Sequence, residues 1–175
     1  MYLVGLCGAL RTGSYNRLLL AEAARLFAPT RFSEGDLRLP LYDGDDEAQS
    51  GVPAAAQLLA DQISRADAII IATPEYNGAP SGVLKNALDW VSRVEGKPFK
   101  DKPMALLSAS AGPSGGENAQ AKLRAWLPGF HPVLLDAPQI HIGRSADAFD
   151  PEGRLIDPDQ TATLTALMQA LRAAV

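Results

Sequence analysis

One short run, Ala68-Ile69-Ile70-Ile71-Ala72, is apolar at every position and rich in β-branched side chains. Such a strand has no side that faces water, so the run predicts a central strand of a parallel sheet with helices on both faces. The chain around it alternates as this architecture requires. Short apolar runs are separated by segments whose apolar residues recur every three or four positions, the spacing of amphipathic helices.

Five apolar runs are predicted as strands: Tyr2–Cys7, Phe32–Leu39, Ala68–Ala72, Met104–Ser108 and Val133–Leu135. Residues 139–143 are expected to extend the fifth strand or to pair beside it. The polar segment from Tyr42 to Gly51 is predicted as a loop. A last helix is predicted to start at Asp157, Pro158 and Gln160, which suit its N-cap, N1 and N3 positions.

The length of 175 residues fits one domain, which we place over residues 1–175. A net charge of −4 argues against general nucleic acid binding, which needs clustered excess cation. The single cysteine, Cys7, excludes an internal disulfide and a cysteine-rich zinc site, and favours a reducing cytoplasm. The opening segment, Met1–Cys7, lacks a positively charged n-region and is too short to span a bilayer, so we predict a cytoplasmic protein without a membrane partner.

Ligands of doubly wound sheets bind beyond the carboxyl ends of the strands, which directs attention to three loops. The first loop, Gly8–Asn16, begins like a nucleotide P-loop, but Ser14-Tyr15 stands where Lys-Ser/Thr is required. No G-x-G-x-x-G pattern for a pyrophosphate is present either. Backbone amides at a helix start suit one phosphate group, and suitable side chains are Arg11, Thr12, Ser14 and Asn16. The alternative is a polar turn in which Ser14 only caps the helix.

The second and third loops are predicted to hold a flat group. The second loop, Thr73–Gly82, contains two prolines and two glycines and presents Tyr76, which either borders a ring or packs on its own turn. The third loop, Ser108–Gly116, is built of small residues, which lets a flat ligand approach the backbone. The three loops together predict a ligand with one phosphate and one hydrogen-bonding ring system, and FMN fits better than NAD or ATP.

Several motifs carry a family resemblance that spans nearly the whole chain: Gly8-x-Leu10-Arg11-x-Gly13-Ser14-x-Asn16, Leu39-Pro40-Leu41-Tyr42-Asp43, Pro74-Glu75-Tyr76-Asn77-Gly78, Leu84-Lys85-Asn86-Ala87-Leu88-Asp89-Trp90 and Gly115-Gly116. With them the chain resembles the NAD(P)H-dependent FMN reductases of flavodoxin-like fold, close to bacterial chromate and quinone reductases. The resemblance implies an α/β fold with a five-stranded parallel sheet of order 2-1-3-4-5 and helices on both faces.

The resemblance also implies the cofactor site. Arg11, Ser14 and Asn16 are expected to hold the FMN phosphate, and the other two loops to border the isoalloxazine ring. The full set of expected FMN-binding residues is Ala9, Leu10, Arg11, Thr12, Gly13, Ser14, Tyr15, Asn16, Pro74, Glu75, Tyr76, Asn77, Ser108, Ala109, Ser110 and Gly112. Family members usually carry serine at the position of Ala9 and often a hydroxyl at that of Ala109, and backbone N–H groups can replace both. No catalytic side chain and no metal are predicted.

The implied activity is reduction of quinones, azo compounds, chromate or free flavin with NADPH or NADH. The nicotinamide passes a hydride to N5 of FMN and leaves, and the acceptor then takes its place, which gives ping-pong kinetics. The resemblance further implies a homodimer or homotetramer.

Two other functions are compatible with parts of the sequence. Gly112-Pro113-Ser114-Gly115-Gly116 matches the G-x-S-x-G elbow of serine hydrolases, and Asp136 and His141 follow in the right order, although no second oxyanion loop is evident. A flavodoxin-type electron carrier is the other alternative. Flavodoxins are usually more acidic than this chain and lack an arginine like Arg11 in the phosphate loop.

Overall fold

The computed structural model describes residues 1–175 as a sheet flanked by helices. The strands are β1 (Tyr2–Cys7), β2 (Arg31–Gly35), β3 (Ala68–Thr73), β4 (Pro103–Ala109), β5 (Val133–Leu134) and β6 (Ile140–Ile142). The helices are α1 (Tyr15–Phe27), α2 (Gly44–Ser50), α3 (Ala54–Arg65), α4 (Gly82–Arg93), α5 (Glu117–Trp126) and α6 (Pro158–Ala173). Short 3-10 turns cover Leu127–Phe130 and Ser145–Asp147.

All strand pairs are parallel, and the main path through the sheet is β2-β1-β3-β4-β5, which confirms the predicted flavodoxin-like order. The far edge differs from a regular fifth strand. β5 pairs only with Pro103 and Met104 at the start of β4, whereas β6 pairs with Leu107–Ala109 at its end. Residues 139–143 therefore contribute a sixth strand that lies beside β4, and the fifth position of the sheet is filled by two short pieces.

The core is divided between the two faces of the sheet because successive strand residues point to opposite sides. Ile70 of β3 packs with α1 and α6 on one face, while Ile69 and Ile71 pack with α3, α4 and α5 on the other. Every residue of β3 is buried, as its unbroken apolar sequence predicts. Full burial stabilises by about 1.5–3 kcal/mol for each isoleucine, which anchors the strands at the centre of the sheet.

The prediction of a loop from Tyr42 to Gly51 was wrong, because most of this segment forms the helix α2. Asp43 caps this helix by accepting a hydrogen bond from the backbone N–H of Asp45 at 2.8 Å. No residue of α2 is buried. Hydrophobic periodicity therefore carries no signal for it, and the helix depends on its cap and on contacts of Glu47 with Tyr42 and Arg93.

Strand β2 is also shorter than predicted, since it ends at Gly35 instead of Leu39. The start of α6 follows the prediction: the Asp157 carboxylate accepts hydrogen bonds from the N–H groups of Asp159 and Gln160. None of the helices combines the length and apolar character that a membrane crossing demands.

Candidate functional site

A cleft of about 280 Å³ opens at the carboxyl ends of β1, β3 and β4, where the strand order reverses. The three predicted loops meet there, together with one residue from the turn after β6. We call it the three-loop cleft, and its lining is Ala9, Arg11, Ser14, Tyr15, Asn16, Pro74, Glu75, Tyr76, Ala109, Ser110, Ala111 and Ser145.

Most of the predicted cofactor residues thus come together, and the others lie in the same loops but outside this lining. Those outside are Leu10, Thr12, Gly13, Asn77, Ser108 and Gly112. Two lining residues, Ala111 and Ser145, were missed by the sequence reasoning. Ala111 belongs to the third loop and is recognisable as one of its small residues. Ser145 follows a short strand with no recognised motif, and the only signal was its position just after the apolar residues 140–142.

Ser14 leads into α1 from the first loop. It occupies the N-cap position, yet its side chain makes no capping hydrogen bond, although the residue is only 2% exposed. The interpretation of Ser14 as a mere helix cap is therefore not supported. The first turn of α1 also contains no acidic residue, so its positive end is left uncompensated. A free hydroxyl at a helix start is well suited to an anion.

Arg11 brings a positive charge to the same end of the three-loop cleft. Its guanidinium carbon lies 5.4 Å from the centre of the Tyr15 ring, and it makes no ion pair with a carboxylate of the chain. Arg17, six positions further along the chain, is instead paired with Glu34 at 3.0 Å. Arg11 is thus the cation of this region that remains available for a phosphate group.

Asn16 connects the first loop to the third. Its side-chain oxygen accepts a hydrogen bond from the N–H of Ala109 at 2.9 Å, and its amide donates to the carbonyl of Ala109 at 2.8 Å. The two residues are 93 positions apart in sequence. This double contact sets the distance between the two loops, and the second hydrogen of the Asn16 amide remains for a ligand.

The second loop reverses direction through a tight turn. Tyr76 and Ala79 exchange backbone hydrogen bonds of 2.9 and 3.1 Å, and Asn77 and Gly78 between them have φ of +53° and +70°. Positive φ at both central residues is the reason for the Asn-Gly pair. Asn77 therefore shapes the turn, which leaves the Tyr76 side chain exposed at the margin of the cleft rather than packed on its own turn.

Glu75 joins the second loop to helix α5. Its carboxylate accepts a hydrogen bond of 3.1 Å from the N–H of Ala119 and a longer one of 3.4 Å from the amide of Asn118. Both donors belong to the first turn of α5, whose positive end favours a negative charge. Glu75 thus lines the cleft while it positions the helix that follows the third loop.

Ser108 points away from the cleft at the end of β4. Its hydroxyl accepts a hydrogen bond of 2.9 Å from the side chain of Gln120 and lies 3.3 Å from Nδ1 of His141. Burial lowers the pKa of His141, with a smaller opposing effect of Glu117, so the ring favours the neutral state. Ala109, Ser110 and Ala111 then form the small-residue wall of the cleft.

The residues of the hydrolase alternative do not assemble. Ser114 is exposed, Asp136 forms an ion pair with Arg124 at 3.3 Å, and Nδ1 of His141 faces Ser108. The glycines of the motif have another purpose, because a Cβ on Gly115 would lie 2.5 Å from the backbone of His141. The G-x-S-x-G match therefore reflects close packing of the third loop on β6.

Comparison with known proteins shows which family the chain belongs to. The family model for NADPH-dependent FMN reductases matches residues 1–147. An NAD(P)H-dependent FMN reductase of Pseudomonas aeruginosa is 43% identical over 171 residues, which covers 97% of this chain and 92% of that protein. A quinone reductase of Escherichia coli K12 is 35% identical over 175 residues, with 97% and 93% covered.

Among solved structures, FerB of Paracoccus denitrificans, a flavoenzyme NAD(P)H:(acceptor) oxidoreductase, superposes with a TM-score of 0.87 at 31% identity. The match covers 98% of this chain and 95% of that one. The predicted fold and family are thereby confirmed, and neither the hydrolase nor the electron-carrier alternative is favoured. The chain is an oxidoreductase and belongs to the NADPH-dependent FMN reductase family.

Proposed function

We propose that this chain holds FMN in the three-loop cleft and uses NADPH or NADH to reduce small electrophilic acceptors. Quinones are the first acceptor class to test, because the similar protein of Escherichia coli is named a quinone reductase. Azo compounds, chromate and free flavin are further candidates. The observation that carries the proposal is that Ser14, whose hydroxyl makes no hydrogen bond within the chain, and Arg11, whose guanidinium makes no ion pair, line the same cleft at the start of α1.

The residues present fit FMN at both ends of the cleft. Ser14, Arg11 and the free amides at the start of α1 supply the donors and the charge that a phosphate dianion needs. Pro74, Tyr76 and the small residues of the third loop offer surfaces on which a flat ring can lie close to the backbone. FMN, when bound, supplies the redox chemistry by accepting a hydride from the nicotinamide and passing two electrons to the acceptor.

The other predicted residues receive supporting roles in this proposal. Leu10, Thr12 and Gly13 shape the phosphate loop, and Asn77 and Gly112 shape the turns beside the ring. Ser108 supports the third loop from below, since its hydroxyl is already hydrogen-bonded. The backbone N–H of Ala109 donates its hydrogen bond to the side-chain oxygen of Asn16. It is therefore not free to replace the hydroxyl that family members often carry at this position.

The protein side chains bind and orient rather than exchange protons. The thiol of Cys7 is buried and its pKa is raised by that burial, which removes it as a nucleophile. Donor and acceptor must both reach the ring held in this one cleft. We therefore expect them to bind in turn and the kinetics to be ping-pong.

We also infer a cytoplasmic protein, one domain over residues 1–175, that forms a homodimer or homotetramer. The family resemblance supports the assembly, and so does the exposed Leu41, which lies in the family-like segment Leu39–Asp43 with 83% of its surface accessible. Light scattering coupled to size-exclusion chromatography tests the oligomer directly. A monomer at micromolar concentration would contradict it.

The decisive experiment follows FMN uptake by absorption spectroscopy and then reduction by NADPH or NADH without oxygen. We expect bound FMN that bleaches with at least one nucleotide and is reoxidised by a quinone. Arg11→Ala should weaken FMN binding by about 10–100-fold, the value of a charge-assisted hydrogen bond. Arg65→Ala, which removes an exposed arginine of α3, is the matched control and should bind FMN normally. A wild-type protein that takes up no FMN would contradict the proposal.

A further inference from the structure

Ser145, on the turn after β6, is an unusual serine. The residue is 3% exposed, it lines the three-loop cleft, and its hydroxyl makes no hydrogen bond within the chain. Because the residue is nearly enclosed, what remains accessible of it faces the cleft, where a ligand or water must satisfy the hydroxyl. Ser14 is the other serine of the cleft in the same condition, whereas Ser110 donates to the carbonyl of Gly112 at 3.4 Å. A ligand in the cleft is the natural partner for the free hydroxyl.

The backbone around Ser145 is tightly joined to the third loop. The N–H of Ser145 donates to the carbonyl of Ser110 at 3.1 Å, and that of Arg144 donates to Gly112 at 3.2 Å. Arg144 has φ of +47°, a left-handed conformation that is uncommon outside glycine. A Cβ on Gly143 would lie 2.4 Å from the carbonyl oxygen of Pro113, so the close approach requires glycine there. These contacts thus hold Ser145 in one defined position at the cleft.

The contacts of the same segment indicate which end of the cleft Ser145 serves. Phe149, shortly after Ser145, stacks on Tyr15 with ring centres 6.2 Å apart and an angle of 8°. Tyr15 adjoins Ser14 in sequence and carries the Arg11 guanidinium near its ring. The segment that carries Ser145 thus packs on the third loop through its backbone and on the start of α1 through Phe149, and Asn16 joins these two regions at the end of the cleft that we assign to phosphate.

From these contacts we propose that the Ser145 hydroxyl donates a hydrogen bond to the phosphate of FMN, together with Ser14 and Arg11. The inference rests on the proposed function and deepens it, because it adds a residue from a fourth segment of the chain. A phosphate dianion has several acceptor oxygens, and neutral hydroxyls satisfy them without adding charge. Ser145 then contributes to selection of FMN over riboflavin, which lacks the phosphate.

The test compares FMN and riboflavin binding to Ser145→Ala by quenching of flavin fluorescence. We expect FMN to bind about tenfold more weakly and riboflavin to change by less than about twofold, as loss of one hydrogen bond to a charged group predicts. Ser114→Ala, which removes an exposed serine of the third loop outside the cleft, is the matched control and should leave both affinities unchanged. Unaltered FMN affinity in Ser145→Ala, or an equal loss for both flavins, would overturn the assignment.

A second measurement keeps the inference testable independently of affinity. The ³¹P NMR signal of bound FMN should shift in Ser145→Ala and not in Ser114→Ala. If the alanine variant does not fold, Ser145→Cys, which keeps a similar volume with a weaker donor, should show the same selective loss of FMN affinity. Failure of the wild-type protein to bind FMN would contradict the proposed function, whereas normal binding by a folded Ser145 variant would contradict only this inference.

Discussion

Two sets of buried polar side chains meet at the carboxyl edge of the sheet, and they differ in what their polar atoms contact. Ser108 and Gln120 are hydrogen-bonded to each other beneath the third loop, and Asn16 is hydrogen-bonded twice to Ala109. Ser14 and Ser145 are equally buried, at 2% and 3% exposure, but their hydroxyls have no protein partner.

The difference separates the residues that hold the site together from those that we assign to the ligand. A paired polar group contributes its hydrogen bond to folding, and its loss leaves a buried partner unsatisfied. An unpaired group at a cleft contributes little to folding and keeps its hydrogen bond for a ligand. Burial alone does not make this distinction, and neither does membership of a sequence motif, since Asn16 and Ser14 belong to the same motif.

The largest expected effect comes from breaking the paired set at Asn16. Asn16→Ala leaves both the N–H and the carbonyl of Ala109 without their partner inside the protein. We expect the free energy of unfolding to fall by about 2–4 kcal/mol, measured by urea denaturation. Asn118→Ala, on the exposed first turn of α5, should change it by less than about 0.5 kcal/mol. Equal stability of the two variants would show that the Asn16 contact does not join the loops.

Smaller effects are expected for Ser14 and Ser108, one on FMN binding and the other on stability. Ser14→Ala should weaken FMN binding about tenfold and change the free energy of unfolding by less than about 0.5 kcal/mol, because no capping bond is lost. Ser108→Ala should lower the free energy of unfolding by about 1–2 kcal/mol and alter FMN affinity by less than about twofold. Paired titrations with FMN and with urea measure both quantities, and matching profiles for the two variants would remove the proposed distinction.

The smallest effect concerns pH and His141, which lies 3.3 Å from Ser108. Burial lowers the pKa of His141 below its usual 6.5, so the unfolded chain binds this proton more readily than the folded chain. The neutral His141 ring therefore contributes to the free energy of unfolding above about pH 6.5, and this contribution is lost as the pH falls below that value. Urea denaturation between pH 7.5 and 5 should show a shallower pH dependence for His141→Asn than for the wild type. Identical slopes would mean that the ring is free to charge in the folded state.

Much of the fold followed from local patterns. The apolar run of β3, the capping residues of α6 and the alternation of strands and helices were all confirmed. The failures have physical causes. Helix α2 buries no residue, so periodicity carried no signal. The fifth position of the sheet is split between β5 and β6, because each short piece pairs with a different part of β4.

The sequence by itself determined the class of the protein, because strand burial, turn chemistry and the loop motifs depend on neighbouring residues along the chain. Only the tertiary structure decided which polar groups are paired. Asn16 meets Ala109 across 93 positions, and Ser145 lines the same cleft as the first loop although it lies in the opposite half of the chain. These contacts between distant residues depend on the register and crossovers of the whole sheet, so they cannot be predicted from any one local segment. The same residue types thus become scaffold or binding site according to where the fold places their partners.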